Sequence, residues 1–288
     1  MKLHKPEVTI ESAGAKSSSR FSIEASQQAF AVLSSTIYED KIKAPIRELS
    51  TNAYDAHVEA GCSEKPFEVH LPNSIDSEFR VRDYGVSLSH EDVMHLYTTY
   101  FGSNKRNSNS LNGCLGLGSK SPFAYTDQFW VTTYIDGKKR NYVATVDSEG
   151  SRLDEYPECD TDEANGFEVG FVVKEEDFSK FKDTAQQVYK YFKTQPIVTG
   201  SDFEHITPSS AKITGKGWEF IGSYSDSVAI MGNIGYPIDD DKFVDWEKSY
   251  QERRQDPVFQ LLHGGVVMYF DIGELSMTAS REGLEYTD

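Results

Sequence analysis

Glu48, Asn52 and Asp55 stand at i, i+4 and i+7 in the run Arg47-Glu48-Leu49-Ser50-Thr51-Asn52-Ala53-Tyr54-Asp55-Ala56-His57. In a helix that spacing stacks all three on one face, leaving Leu49, Ala53 and Ala56 to pack inward. Two carboxylates and an amide on one face could hold a divalent cation, a water and a nucleotide. The alternative is a solvated polar stripe. Two later segments bear on the choice. Residues 80–87, Arg-Val-Arg-Asp-Tyr-Gly-Val-Ser, form a strand-like approach ending in Asp83 and Gly85. Residues 112–121, Asn-Gly-Cys-Leu-Gly-Leu-Gly-Ser-Lys-Ser, place Gly113, Gly116 and Gly118 where backbone can pass close to an anion. The Ser-Lys-Ser-Pro-Phe-Ala-Tyr that follows could open a helix whose N-terminal amides face phosphate. One glycine-rich turn is usually only a turn; three such segments in this order describe a site.

The pattern Glu-x-x-x-Asn-x-x-Asp-Ala, then Asp-x-Gly, then Gly-x-x-Gly-x-Gly resembles the GHKL (Bergerat-fold) ATPases, which include gyrase, MutL, heat-shock chaperones and sensor histidine kinases. Within that group the chain is similar to the rIIA lysis-inhibition proteins of T-even phages. That likeness is carried by Phe21-Ser22-Ile23, Ile46-Arg47-Glu48-Leu49, Asp55-Ala56-His57, Arg82-Asp83, Tyr100-Phe101, Gly116 through Phe123, Tyr125-Thr126-Asp127 and Ser280-Arg281-Glu282. It spans about residues 18 to 285. The resemblance implies an α+β fold: a two-layer α/β Bergerat sandwich followed by a β-rich transducer-like domain.

It also implies roles. Glu48 would be the general base that orients and deprotonates a water. Asn52 would offer its amide oxygen to Mg²⁺, which needs few protein ligands because it keeps waters and takes phosphate oxygens. Asp55 would support the pocket, Ala56 would leave room for the base ring, and Asp83 with Gly85 would read adenine. Gly113, Gly116 and Gly118 would bring amides to the phosphates, with charge added by Lys105 or Lys120. Arg281, in Ser280-Arg281-Glu282, resembles a chaperone arginine that reaches toward the γ-phosphate; a capping or surface role is the alternative. Two departures stand out. The family often has Asp-x-Gly-x-Gly where this chain has Asp83-Tyr84-Gly85-Val86-Ser87, and no threonine stands near Gly166-Phe167-Glu168 to contact the base.

The expected activity is Mg-dependent ATP binding and slow hydrolysis, coupled to lid closure and an ATP-favoured homodimer. An rIIA-like role in lysis timing or host exclusion follows by analogy. It would involve a phage or host protein in the cytoplasm of the infected cell, with peripheral association at the inner membrane left open. The rivals are an ATP-sensing switch without turnover and a pure interaction protein. A Walker P-loop is rejected because Ser119 separates Gly118 from Lys120. Histidine-kinase chemistry lacks a phosphoacceptor histidine or a preceding coiled coil. His57, just off the polar face, is expected to pack or cap.

The elements that must position these groups fit within 288 residues, enough for one large or two ordinary domains. A net charge of −17 argues against broad nucleic-acid binding but leaves room for a local basic patch and for ATP. Cys62, Cys114 and Cys159 have no metal spacing and are expected reduced. No apolar run is long enough for a bilayer span, and no signal peptide is evident. Residues 1–20 are expected to form a flexible arm, Phe21–Glu24 a strand, and Ser26 to about Ile37 a helix. Ala44–Ala60 is the polar-face helix, closed by Gly61. Phe67–Leu71 pairs with Phe79–Asp83, and Ser89 caps a short helix. The polar stretch 98–119 is a candidate lid. Phe129–Tyr134, Arg140–Val146 and Phe167–Val173 are strands, and the acidic stretch around 154–162 is an exposed loop. The ATP-binding domain is drawn as 21–178. The second domain, 179–288, starts with a helix over 177–193 and continues with strands at Val228–Ile230, Val258–Leu262, Val266–Ile272 and Leu275–Thr278.

Overall fold

The computed structural model describes residues 37–99, 117–147 and 150–286. The expected arm, the first strand and helix and nearly all of the candidate lid lie outside them, as do Lys105, Gly113 and Gly116.

Helix α1 spans Lys43–Glu59. It starts where the Asp40 carboxylate accepts the amides of Ile42 (3.0 Å) and Lys43 (2.8 Å). It ends at Ala60 and Gly61, the latter at φ 71. Ile46, Leu49 and Ala53 turn into the core. Helix α2 (His90–Thr98) begins at Ser89, whose hydroxyl accepts the amide of Asp92, with Glu91 and Asp92 favourably placed in the first turn.

The first sheet is built from β1 (Glu68–His70), β2 (Glu78–Asp83), β3 (Gln128–Ile135), β4 (Lys138–Asp147), β5 (Gly150–Glu155), β6 (Cys159–Asp160), β7 (Gly166–Val172) and β8 (Ile197–Thr199). Their order is β5-β4-β3-β7-β2-β1-β8, with β6 against β4. All pairings are antiparallel except β1 with β8. The register sets Phe79, Val81 and Asp83 opposite Phe171, Val169 and Phe167 on β7, with Val131 and Thr133 next in line on β3. Side chains alternate along a strand, so this apolar row shares one face, covered by α1, α2 and helix α3 (Phe178–Tyr189) in a single core. Arg80, Arg82, Trp130 and Glu168 occupy the opposite face. Asp83 therefore finishes a core-facing row, at the rim under the helices.

The second sheet comprises β9 (Ile213–Gly215), β10 (Trp218–Phe220), β11 (Val228–Met231), β12 (Ile234–Pro237) and β13 (Val266–Phe270), in the order β12-β11-β13-β10-β9. Helices α4 (Tyr250–Arg253) and α5 (Pro257–His263) lie in the β12–β13 connection.

Four expectations need correction. Val258–Leu262 is helical, because the Asp256 carboxylate caps the Val258 amide at 2.9 Å and Pro257 sits at the first helical position. Leu275–Thr278 forms only one isolated bridge, Met277 to Leu284. The acidic stretch is exposed but partly strand, since β5 extends through Glu155 and Cys159–Asp160 pairs with Lys138–Lys139. Helix α3 does not open the second unit. Phe181, Ala185 and Tyr189 pack with Phe67, Phe79 and Phe171, and β8 then returns to β1. The chain changes sheets between Thr199 and Ile213.

Candidate active site

Glu48 lies in the second turn of α1 and is 3% exposed. A carboxylate so far removed from water must be compensated. Arg281 Nη1 donates to Oε2 at 2.9 Å, and Arg47 Nε donates to Oε1 at 3.1 Å. Arg281 comes from the second unit, 233 positions away. Arg47 completes the junction by donating to the carbonyls of Arg281 (2.8 Å) and Ser280 (2.7 Å). Glu282 accepts the amides of Glu39 and Asp40, each at 3.0 Å. The Ser280-Arg281-Glu282 turn is thereby fastened to the first two turns of α1 and the segment leading into them. Arg281 has φ 59, unusual for a residue with a Cβ and maintained by these contacts. Two buried phenols, Tyr38 and Tyr236, feel these charges; burial raises both pKa values, and the Glu48 charge adds to the rise.

The glycine-rich segment reaches this carboxylate at Gly118, which opens a 3₁₀ helix over Gly118–Ala124. A Cβ built on Gly118 would lie 2.5 Å from Glu48 Oε2, so any other residue here would have to displace that carboxylate oxygen from Arg281. Lys120 is buried. Its ammonium donates to the Leu96 carbonyl and, at 2.8 Å, to that of Thr99. It therefore sits at the C-terminal carbonyls of α2, where a cation also meets the negative end of the helix dipole. Burial lowers its pKa to about 8. In this conformation Lys120 ties the glycine-rich segment to α2.

One turn beyond Glu48, Asn52 is half-buried, while Asp55 is fully buried and Ala56 nearly so. Next to them is a second junction. Tyr84 donates its amide to His57 Nε2 at 2.8 Å, and His57 Nδ1 meets the Lys65 carbonyl at 2.8 Å. With Nε2 accepting, the proton is on Nδ1 and the ring is neutral. Burial agrees, holding its pKa below the usual histidine value. The Asp83 carboxylate accepts the Gly85 amide at 3.0 Å. A Cβ on Gly85 would fall 2.4 Å from the Ala56 carbonyl carbon, so this loop lies directly on α1. Ser87, where the second glycine was missing, donates to the Gly166 carbonyl at 2.7 Å. Asp55, Ala56, Asp83 and Gly85 thus belong to one packed region, and Glu48, Gly118 and Arg281 to another on the same helix.

No protein-family profile and no curated protein matches the chain. Solved structures do. The ATPase region of Saccharomyces cerevisiae topoisomerase II aligns with a TM-score of 0.56 and 14% identity over 83% of this chain and 76% of that one. The same region bound to ICRF-187 (dexrazoxane) aligns with a TM-score of 0.57 and 12% identity over 84% and 77%. The fold is therefore similar to that of this ATPase region. At these identities the likeness speaks for the fold alone.

Within this fold, β7 carries Phe167 directly opposite Asp83. Its ring lies nearly parallel to that of Tyr97, with centroids 6.3 Å apart, so an aromatic pair flanks Asp83. In the sequence Arg47 stands out only as part of the run that carries the family likeness, and Tyr38 and Tyr236 do not stand out at all. Arg47 had a local signal, being adjacent to Glu48. The two tyrosines had none, since their proximity to Arg281 exists only after folding.

Proposed function

We propose that this protein binds Mg·ATP through α1, the Asp83 loop and the glycine-rich segment, and hydrolyses it slowly. The observation that carries the reading is the buried carboxylate of Glu48, abutting Gly118 and gripped by an arginine from the turn that follows the second sheet. Glu48 would accept a proton as water attacks the γ-phosphorus and the bond to the ADP oxygen breaks. Both oxygens of Glu48 are occupied by guanidiniums, which leaves neither directed at a water, so Arg281 must leave Oε2 for turnover. The γ-phosphate would offer it a competing anion. Arg281 would then switch partners on nucleotide binding, linking the second sheet to nucleotide state.

Asn52 suits Mg²⁺: it is a neutral oxygen donor, half-buried one turn from Glu48, beside the site where phosphate would lie. When bound, the ion would neutralise phosphate charge. Asp83 would accept the adenine amino group, with the Phe167–Tyr97 pair replacing a threonine. Closure of the 98–119 segment as a lid, ATP-favoured dimerisation and an rIIA-like action on a phage or host protein extend this reading by resemblance. Glu48→Ala should retain ATP affinity in calorimetry and lose phosphate release by at least about 100-fold, the typical size of general-base catalysis. Unchanged turnover would remove Glu48 from this role. A sedimentation coefficient unaltered by Mg·ATP would remove the dimer.

The paired state of Glu48 specifically supports a second reading, a switch that binds ATP and seldom turns it over. In that case Glu48→Ala would abolish whatever turnover is measured yet leave biological activity intact.

A further inference from the structure

A separate cleft opens in the second unit, where α4, α5 and the β12–β13 connection face the Gly222-Ser223-Tyr224 turn. It encloses about 710 Å³ and is lined by Lys212, Arg253 and Arg254, with His263 but without a single carboxylate. In a chain of net charge −17 such a lining is a concentrated exception. None of the three permanent cations forms an ion pair among the described residues. Two acidic neighbours are engaged elsewhere, Glu252 accepting from Ser249 at 2.6 Å and Asp245 meeting Lys248 at 3.7 Å, while Asp240 faces the lining histidine, His263, at 3.9 Å and none of the three permanent cations.

Three aromatic rings of the lining are strongly exposed. Tyr224 is 91%, Tyr250 60% and Trp246 43% accessible. These rings continue into a buried stack in which His263 lies on Phe259 at 3.9 Å, 21° from parallel, with Trp246 and Tyr224 each within 6.3 Å of His263. Arg253 lies 4.7 Å over the Trp246 ring and donates to the Trp246 and Lys248 carbonyls at 3.1 and 2.6 Å, which stiffens that wall. Arg254 stands 5.8 Å from the Tyr250 ring and is exposed.

We propose that this cleft binds nucleotide units, stacking a base on Tyr250 or Tyr224 and taking the phosphate on Arg254 and Lys212. Exposed aromatic faces beside cations that lack an ion-pair partner, Lys212 being held by the Gly222 carbonyl, suit a planar ring attached to an anion. The volume falls within the range of small-ligand sites and accommodates one such unit. Free nucleotides and a single strand present the same chemistry; the affinity for each decides the source. The site is independent of Mg·ATP binding at Glu48.

Fluorescence anisotropy with labelled octathymidylate and calorimetry with thymidine monophosphate, both on the full chain, test this. Thymine lacks the adenine amino group that Asp83 would read. Octathymidylate should bind with a logarithmic salt slope of about −1.4, as expected when Arg254 and Lys212 neutralise two phosphates of a single strand. Tyr250→Ala should weaken it about fivefold or more, the lower end for losing one stacked base. Arg254→Glu should weaken it further, with far-UV circular dichroism unchanged for both variants. Comparable binding of the monophosphate would identify free nucleotide as the source; binding of the octamer alone would identify a single strand. The proposal is overturned if neither ligand binds at millimolar concentration. It is also overturned if both variants bind like wild type, if Asp83→Asn abolishes binding while Arg254→Glu does not, or if only an acidic peptide is retained.

Discussion

Removing the charge from either end of the Glu48–Arg281 contact should produce a large and specific loss of stability. Both side chains are almost fully buried, 2.9 Å apart. Removing one partner of an isolated buried pair costs roughly 3–5 kcal/mol, because the remaining charge is uncompensated. Arg47 moderates this, since it stays 3.1 Å from the other carboxylate oxygen. Arg281→Met should therefore cost about 2 kcal/mol, below that range. Glu48→Gln should cost about 3 kcal/mol, because it leaves two guanidiniums facing a neutral amide. The double variant should cost less than the sum, giving a coupling of about 1.5–2 kcal/mol, characteristic of residues in direct contact. Urea unfolding of the four proteins, followed by far-UV circular dichroism, would measure it. The coupling should persist at high salt, because ions do not screen a buried pair effectively. A coupling below about 0.5 kcal/mol, the range of exposed pairs, would refute the reasoning and return Arg281 to a surface role.

Gly118→Ala should impair phosphate release severely and cost about 1–3 kcal/mol in the same unfolding assay, because the added methyl would meet Glu48 Oε2 at 2.5 Å; wild-type behaviour would mean the segment simply moves aside. Asn52→Ala should make ATP affinity independent of magnesium in calorimetry, and persistence of that dependence would remove Asn52 as the metal ligand. His57 gives a pH test. Burial lowers its folded pKa from 6.5, so the unfolded chain takes up the proton first as pH falls. Its stabilisation is complete above about 6.5 and declines as pH drops below that value, with the Tyr84 amide losing its acceptor. His57→Asn should flatten the stability profile over that window, and a profile identical to wild type would exclude the histidine.

Much of the first sheet and its polar helix was legible because their signals are local. Leu49 and Ala53 fall on the inward face of α1, alternation marks Phe79 and Val81 on β2, and Ser89 caps α2. The same locality explains the misreading of α5. Val258-Phe259-Gln260-Leu261-Leu262 is a short apolar run that periodicity cannot assign, and the deciding Asp256-Pro257 signal lies just upstream. Helix α3 was placed in the wrong unit because an amphipathic pattern says which face is buried, not against what. At the site, the position of Glu48 followed from helical spacing and its chemistry from resemblance, but its state did not. The carboxylate meets a residue 233 positions away, and only folding brings Arg281 to it. Lys120 illustrates a different limit. Sequence identifies a cation after a glycine-rich turn, whereas burial and the carbonyls of Leu96 and Thr99 decide where its charge is used.

The turn Ser280-Arg281-Glu282 holds two things at once. Its arginine restrains a carboxylate in the second turn of α1, and its glutamate restrains the amides of the two residues Glu39 and Asp40. Asp40 in turn initiates that helix through its own carboxylate. The two grips are joined by one short turn, itself tied by the Thr278–Ser280 and Thr278–Gly283 hydrogen bonds, so releasing the arginine would also load the helix start. An event that breaks the inner grip would therefore be felt at the start of α1, within the span of a single bend.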